Sequence, residues 1–140
     1  MWEHIEPWDT VLVTTNGILS RGRLVMGAGA AAELVRRWPN APEYFGRIIG
    51  RSQSTYGVVI EKTLGYGIFQ TKHHWQYASN LDLIAYSTAC LTFWATDPEL
   101  EPQERFFLNY PGIGLGQLSK PEVFPIIERL PDNVIIWELP

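Results

Sequence analysis

Three short segments combine residue types that could hold or transform an anionic ligand. Val25-Met26-Gly27-Ala28-Gly29-Ala30 leads straight into a run with helical apolar spacing. Small residues let a ligand reach the backbone, and the free N–H groups of a helix start favour a phosphate or other anion. The same glycines would also serve a tight turn. No lysine followed by Ser or Thr opens the helix, so this is not a Walker-type loop, and Ala32 stands where a dinucleotide fingerprint needs its third glycine. Asn16 follows the preceding apolar run and could join this loop. Pro111-Gly112-Ile113-Gly114-Leu115-Gly116-Gln117 alternates glycine with apolar residues, which suits either an anion-binding row of N–H groups or a plain connector. Two such loops facing each other fit a diphosphate better than a single phosphate.

The third segment is Thr71-Lys72-His73-His74-Trp75. Lys72 could neutralise phosphate or, with a lowered pKa, act as nucleophile or proton donor; it could equally be a solvated surface lysine. Adjacent histidines point in different directions, and His4 is remote, so no metal site and no cofactor are expected. No serine lies in a Gly-x-Ser-x-Gly elbow. The single cysteine, Cys90, sits in an apolar helical run and reads as an inert thiol.

These loops need a scaffold. Val11-Leu12-Val13 reads as a buried strand ended by Thr14-Thr15-Asn16-Gly17. Ala31, Leu34, Val35 and Trp38 keep helical spacing until Pro39-Asn40-Ala41-Pro42 stops it. Gly57–Leu64 and Tyr66–Thr71 read as paired strands, and Ser79 as the N-cap of a helix through Leu91. A strand over Arg105–Leu108, a helix from Pro121 to Leu130 and a last strand over Val134–Trp137 follow. Three helices alternating with about five strands predict one domain over residues 1–140, α/β, with a mixed, mostly parallel central sheet covered on both faces. Ligands in such folds bind at the carboxyl ends of the strands, where all three segments fall.

Bulk composition agrees. The 140 residues suffice for one core, and a net charge of −4 argues against broad nucleic-acid binding while leaving room for a locally positive cleft. The longest charge-free apolar stretch, Leu83 to Ala95, is too short to span a bilayer, and Met1-Trp2-Glu3-His4 does not begin like a signal peptide. A cytoplasmic monomer without membrane contact is the expectation.

Val13-Thr14-Thr15-Asn16-Gly17 with the Met26-Gly27-Ala28-Gly29-Ala30 turn, Phe69-Gln70-Thr71-Lys72-His73-His74-Trp75, and Pro111-Gly112-Ile113-Gly114-Leu115-Gly116-Gln117-Leu118 together resemble a macrodomain. The resemblance is to the branch of DNA ADP-ribosyl glycohydrolase antitoxins and covers about Val11 to Trp137. It implies a three-layer α/β/α sandwich with an ADP-ribose cleft. By position, Asn16 would meet the distal ribose, and Gly27, Ala28, Gly29 and Ala30 would flank it and the diphosphate. Pro111, Gly112, Ile113, Gly114, Leu115, Gly116 and Gln117 would wrap the diphosphate. Lys72 matches the lysine implicated in de-ADP-ribosylation, which makes Lys72 and Asn16 the expected catalytic pair. The partner would be ADP-ribose or an ADP-ribosylated macromolecule, acted on by a hydrolase or held by a non-catalytic reader. Departures are Gln70 for a proline, Gln117 and Ser119 where a related branch has an aspartate, and Asp9 without the glycine that usually precedes the adenine-contacting acid. Tyr110, Trp75 and Tyr44 are candidates for stacking on adenine.

Overall fold

The structure, a computed structural model, describes residues 2–50 and 55–138. Its centre is a five-stranded sheet. Strand β1 (Thr10–Thr15) lies in the middle, a hairpin of β2 (Leu19–Ser20) and β3 (Arg23–Leu24) follows it, and β4 (Val58–Glu61), β5 (Tyr66–Gln70), β6 (Phe106–Asn109) and β7 (Val134–Trp137) complete the set. The order across the main sheet is β4-β5-β1-β6-β7. Only the β4–β5 pair is antiparallel; β1 is parallel to β5 and β6, and β6 to β7. The mixed, mostly parallel sheet is the expected one.

Alternation along β1 divides the core. Leu12 joins Phe69, Leu108 and Ile84 on one face, under helices α3 (Leu81–Ala95) and α4 (Lys120–Ile127). Val13 joins Ile68, Leu34 and Phe45 on the other, under α1 (Gly29–Arg37) and α2 (Ala41–Ile49). Successive strand residues point to opposite faces, so one short apolar strand nails both helical layers to the sheet.

Two expectations need correction. Pro39-Asn40-Ala41-Pro42 does end α1, but it also starts a fourth helix. Pro42 lies in the first turn of α2, where its missing N–H costs nothing. The helix then buries Ala41, Phe45 and Ile49 on one face, and Gly46 lets it close on the β2–β3 hairpin: a Cβ there would overlap the carbonyl oxygen of Gly22. The cap of α3 is Asn80, not Ser79; the Asn80 carboxamide accepts from the Leu83 N–H at 3.0 Å. Pro121 lies in the first turn of α4, as the sequence suggests, and the helix start is closed by a capping box between Ser119 and Glu122. That box holds the Glu122 carboxyl below its ordinary pKa through the Ser119 backbone N–H.

Candidate functional site

The carboxyl ends of adjacent strands deliver Lys72 (after β5), Asn16 (after β1), Tyr110 (after β6) and Glu138 (after β7) to one cleft of about 720 Å³. Residues 27–31 and 112–117 line it from its two sides. The loops nearly meet, because a Cβ on Gly29 would lie 3.7 Å from the Leu115 side chain. A space of this size suits a small-molecule ligand.

The first wall is an uncapped helix start. Ala28 is the N-cap of α1 and supplies no side-chain acceptor, so the first-turn N–H groups at Gly29, Ala30 and Ala31 have no partner within the helix. Positive partial charge is thereby left at the cleft. Gly29 has φ 59, a conformation that glycine adopts without strain. Gly27 is different: it has no positive φ, and a Cβ there would meet nothing within 4 Å. Its smallness is not a packing requirement of the fold.

The opposite wall is more self-contained than a free row of amides. Gly114–Gly116 forms one 3-10 turn, and the N–H groups of Gly116, Gln117 and Leu118 bond to Ile113, Gly114 and Gly112 carbonyls at 3.2, 2.9 and 2.9 Å. Gln117 closes the turn with φ 66. Beneath it, the Ser79 N–H holds the Gly116 carbonyl at 2.8 Å. The Ser79 hydroxyl is buried without a protein partner and packs on Gly116 so closely that a Cβ there would collide with it.

The Lys72 amine reaches between the segments, with the carbonyl oxygens of Trp75 and Leu115 each 3.4 Å away. It has no carboxylate partner among the described residues, and partial burial lowers its pKa below the ordinary lysine value. Asn16 also lines the cleft, but its carboxamide is engaged: Nδ2 donates to the Val25 carbonyl at 3.1 Å and Oδ1 accepts from the Ile18 N–H at 2.8 Å. It therefore ties the end of β1 to the β2–β3 hairpin and the start of the first glycine loop.

No protein-family model matches the sequence, and no curated protein does. Solved structures match nearly the whole chain. The macrodomain of Thermus aquaticus DarG aligns with a TM-score of 0.71 at 24% identity, over 96% of this chain and 91% of that one. The macrodomain of Mycobacterium tuberculosis DarG aligns with a TM-score of 0.67 at 26% identity, over 93% and 88%. The chain has the macrodomain fold. Thermosipho africanus DarTG, solved in complex with ADP-ribose, matches with a TM-score of 0.71 at 19% identity; the alignment covers 93% of this chain but only 38% of that one.

The cleft gathers the residues singled out in the sequence at the two glycine loops, Pro111 excepted, together with Asn16 and Lys72. Of the stacking candidates, Tyr110 and Trp75 line it, whereas Tyr44 packs against Trp38 and Phe45 elsewhere. Asp9 is at the opposite, amino end of β1, buried and gripped by Arg105 through bonds of 3.1 and 2.8 Å. Its role there is structural. His73 and His74 form no metal cluster; among the described residues there is no group of three or more candidate ligands. The His74 ring packs instead against Trp75 and Tyr77, and its Nδ1 accepts from the Gln76 N–H at 3.0 Å. Cys90 is only half-buried and lies beside Tyr86, near Gly57. No helix among the described residues is long and apolar enough to cross a membrane.

Sequence reasoning missed several lining residues. Thr14, Thr15, Thr71, Ser79 and Asn109 read as strand ends and caps, yet all reach the cleft. Asn109 accepts from the Thr14 N–H at 3.0 Å and donates to its hydroxyl at 2.9 Å, clamping β6 to β1 where both line the cleft. A run of polar residues closing two apolar strands was the available signal.

Proposed function

We propose that this macrodomain binds ADP-ribose and hydrolyses ADP-ribosyl linkages to nucleic acid or protein. The observation that carries the reading is the Lys72 amine. It lies in the same cleft as the two glycine loops, has no carboxylate partner and is partly desolvated. The diphosphate would lie between the uncapped α1 start and the Gly114–Gly116 turn, with the distal ribose toward Asn16 and Lys72. That a similar fold was solved with ADP-ribose bound supports the ligand class.

In the proposed reaction the neutral Lys72 amine forms a bond to the anomeric carbon. The glycosidic bond breaks and its electron pair leaves with the acceptor. The proton shed by the newly bonded nitrogen neutralises that acceptor. Water then displaces the amine, freeing ADP-ribose and restoring Lys72. The test is a turnover screen over ADP-ribosylated DNA, ADP-ribosylated protein and ADP-ribose 1″-phosphate. Release of ADP-ribose by the natural chain and none by Lys72→Ala supports the reading; equal release by both overturns the role of Lys72.

One observation favours a second reading, a reader that binds without turnover. Among the described residues the only carboxylate lining the cleft is Glu138, three strands away from the strand that leads to Lys72. No acidic group therefore stands beside Lys72 to activate water. Binding with every candidate substrate left intact would select the reader.

A further inference from the structure

We propose that the outer face of α3 is an interface between two copies of this chain, packed antiparallel about a twofold axis at Ala89. The proposal does not depend on what the cleft binds, and it replaces the monomer expected from the sequence.

Helix α3 is apolar on every side. Its inner face buries Leu83, Ile84, Leu91 and Ala95. From Leu83 to Thr96 there is no Asp, Glu, Lys or Arg. A helix apolar all round belongs inside a protein, yet this one has an open face. Asp82, Ala85, Tyr86, Ala89, Phe93 and Thr96 are exposed. At about 100° per residue they share one stripe along the helix. Phe93 is 82% exposed and Tyr86 50%, which is costly for rings on a free surface.

The stripe complements itself. Antiparallel pairing about Ala89 sets Phe93 of one copy against Ala85 of the other, a ring over a small side chain. It does so twice, as an isologous contact requires. Asp82 then meets Thr96, a hydroxyl and not another acid. Charges beyond the helix match as well. Asp97, Glu99, Glu101 and Glu104 lie in the loop between α3 and β6, which has no basic residue before Arg105. The same pairing carries that loop past the start of α3 in the second copy. There the Asn80 N–H bonds to the Thr71 carbonyl at 2.9 Å, which places Lys72, His73 and His74 beside the helix start. No acid lies between Glu61 and Asp82, so the loop meets a segment of opposite character. Four rings, the alanines around them and the two loop contacts bury about 1,000 Å² in all, the lower end of specific interfaces. The dimer is therefore a weak one, with a Kd of about 10 μM.

Sedimentation equilibrium of the intact chain from about 1 to about 300 μM tests the assignment. The average mass of the natural protein should rise from one chain toward two and stop there. Phe93→Asp should stay monomeric while melting with the natural protein. Ala89→Glu, which sets two carboxylates face to face across the axis, should do the same. Glu99→Lys with Glu101→Lys brings the net charge from −4 to zero, since each reversal adds two charges. General repulsion would then fall and favour association, whereas the proposed loop contact predicts a dimer at least several-fold weaker. A natural protein that stays a single chain throughout, or one whose mass grows past two chains, overturns the proposal. So does a dimer that survives both Phe93→Asp and Ala89→Glu, or one that tightens when the two glutamates are reversed.

Discussion

The buried phenol of Tyr56 donates its hydroxyl proton to the backbone carbonyl of Asn16 and accepts from the hydroxyl of Thr15. It thus fixes the end of β1 without itself lining the cleft. Gln70 holds the same strap in place, its carboxamide oxygen accepting from the Tyr56 and Gly57 N–H groups at 2.9 and 3.3 Å. Tyr56→Phe keeps the ring and removes both bonds. It should cost about 1–2 kcal/mol in stability by denaturant titration. It should also weaken ADP-ribose binding, because Asn16 loses this support. Undiminished affinity would show that Asn16 needs no such brace. Burial pushes the Tyr56 pKa up, which favours the protonated, donating form.

Lys72 gives the pH dependence. Burial lowers its pKa from the ordinary 10.5, so the folded chain sheds this proton more readily than the unfolded one. Between the lowered value and the ordinary one the unfolded chain holds more protons. The stability contribution of this group therefore rises with pH through that window. If the free amine attacks the ribose, turnover must rise with pH to a plateau, with its midpoint below that of a free lysine. A rate that falls over the same range contradicts attack by Lys72.

Gly27 separates ligand access from packing. A Cβ there meets no atom within 4 Å and no positive φ forbids one, so Gly27→Val should melt close to the natural protein. Yet Gly27 lines the cleft, and the added methyl groups should cut ADP-ribose affinity about tenfold or more. A large drop in melting temperature with affinity intact would reverse that assignment.

Gly46 shows the converse. Its missing Cβ makes room for the Gly22 carbonyl, where α2 closes on the hairpin that leads to the first glycine loop. Gly46→Ala should destabilise the chain by about 1–3 kcal/mol through overpacking, although alanine favours helices. Denaturant midpoints measure it; a gain in stability would mean that the hairpin yields freely.

The sheet and the cleft were legible because local chemistry and tertiary role agree there. Val11-Leu12-Val13 is apolar on both sides and lies between two helical layers. The glycines of both loops fall at strand-to-helix passages. The second helix was hidden because Pro42 both breaks and begins helices, and only the burial of Phe45 and Ile49 by partners distant in sequence decides between the two. Ser79 misled as a cap because Asn80, one residue on, offers the same chemistry with the right backbone geometry. Glu138 gave no local signal at all. It joins the cleft only because β7 pairs parallel to β6, a contact that no spacing along the chain announces.

Titration of the intact chain with ADP-ribose by calorimetry tests the central claim, that the two loops enclose one nucleotide diphosphate. One-to-one, saturable binding that Gly27→Val weakens is the predicted result. No heat from the natural protein, or binding indifferent to that substitution, would contradict it.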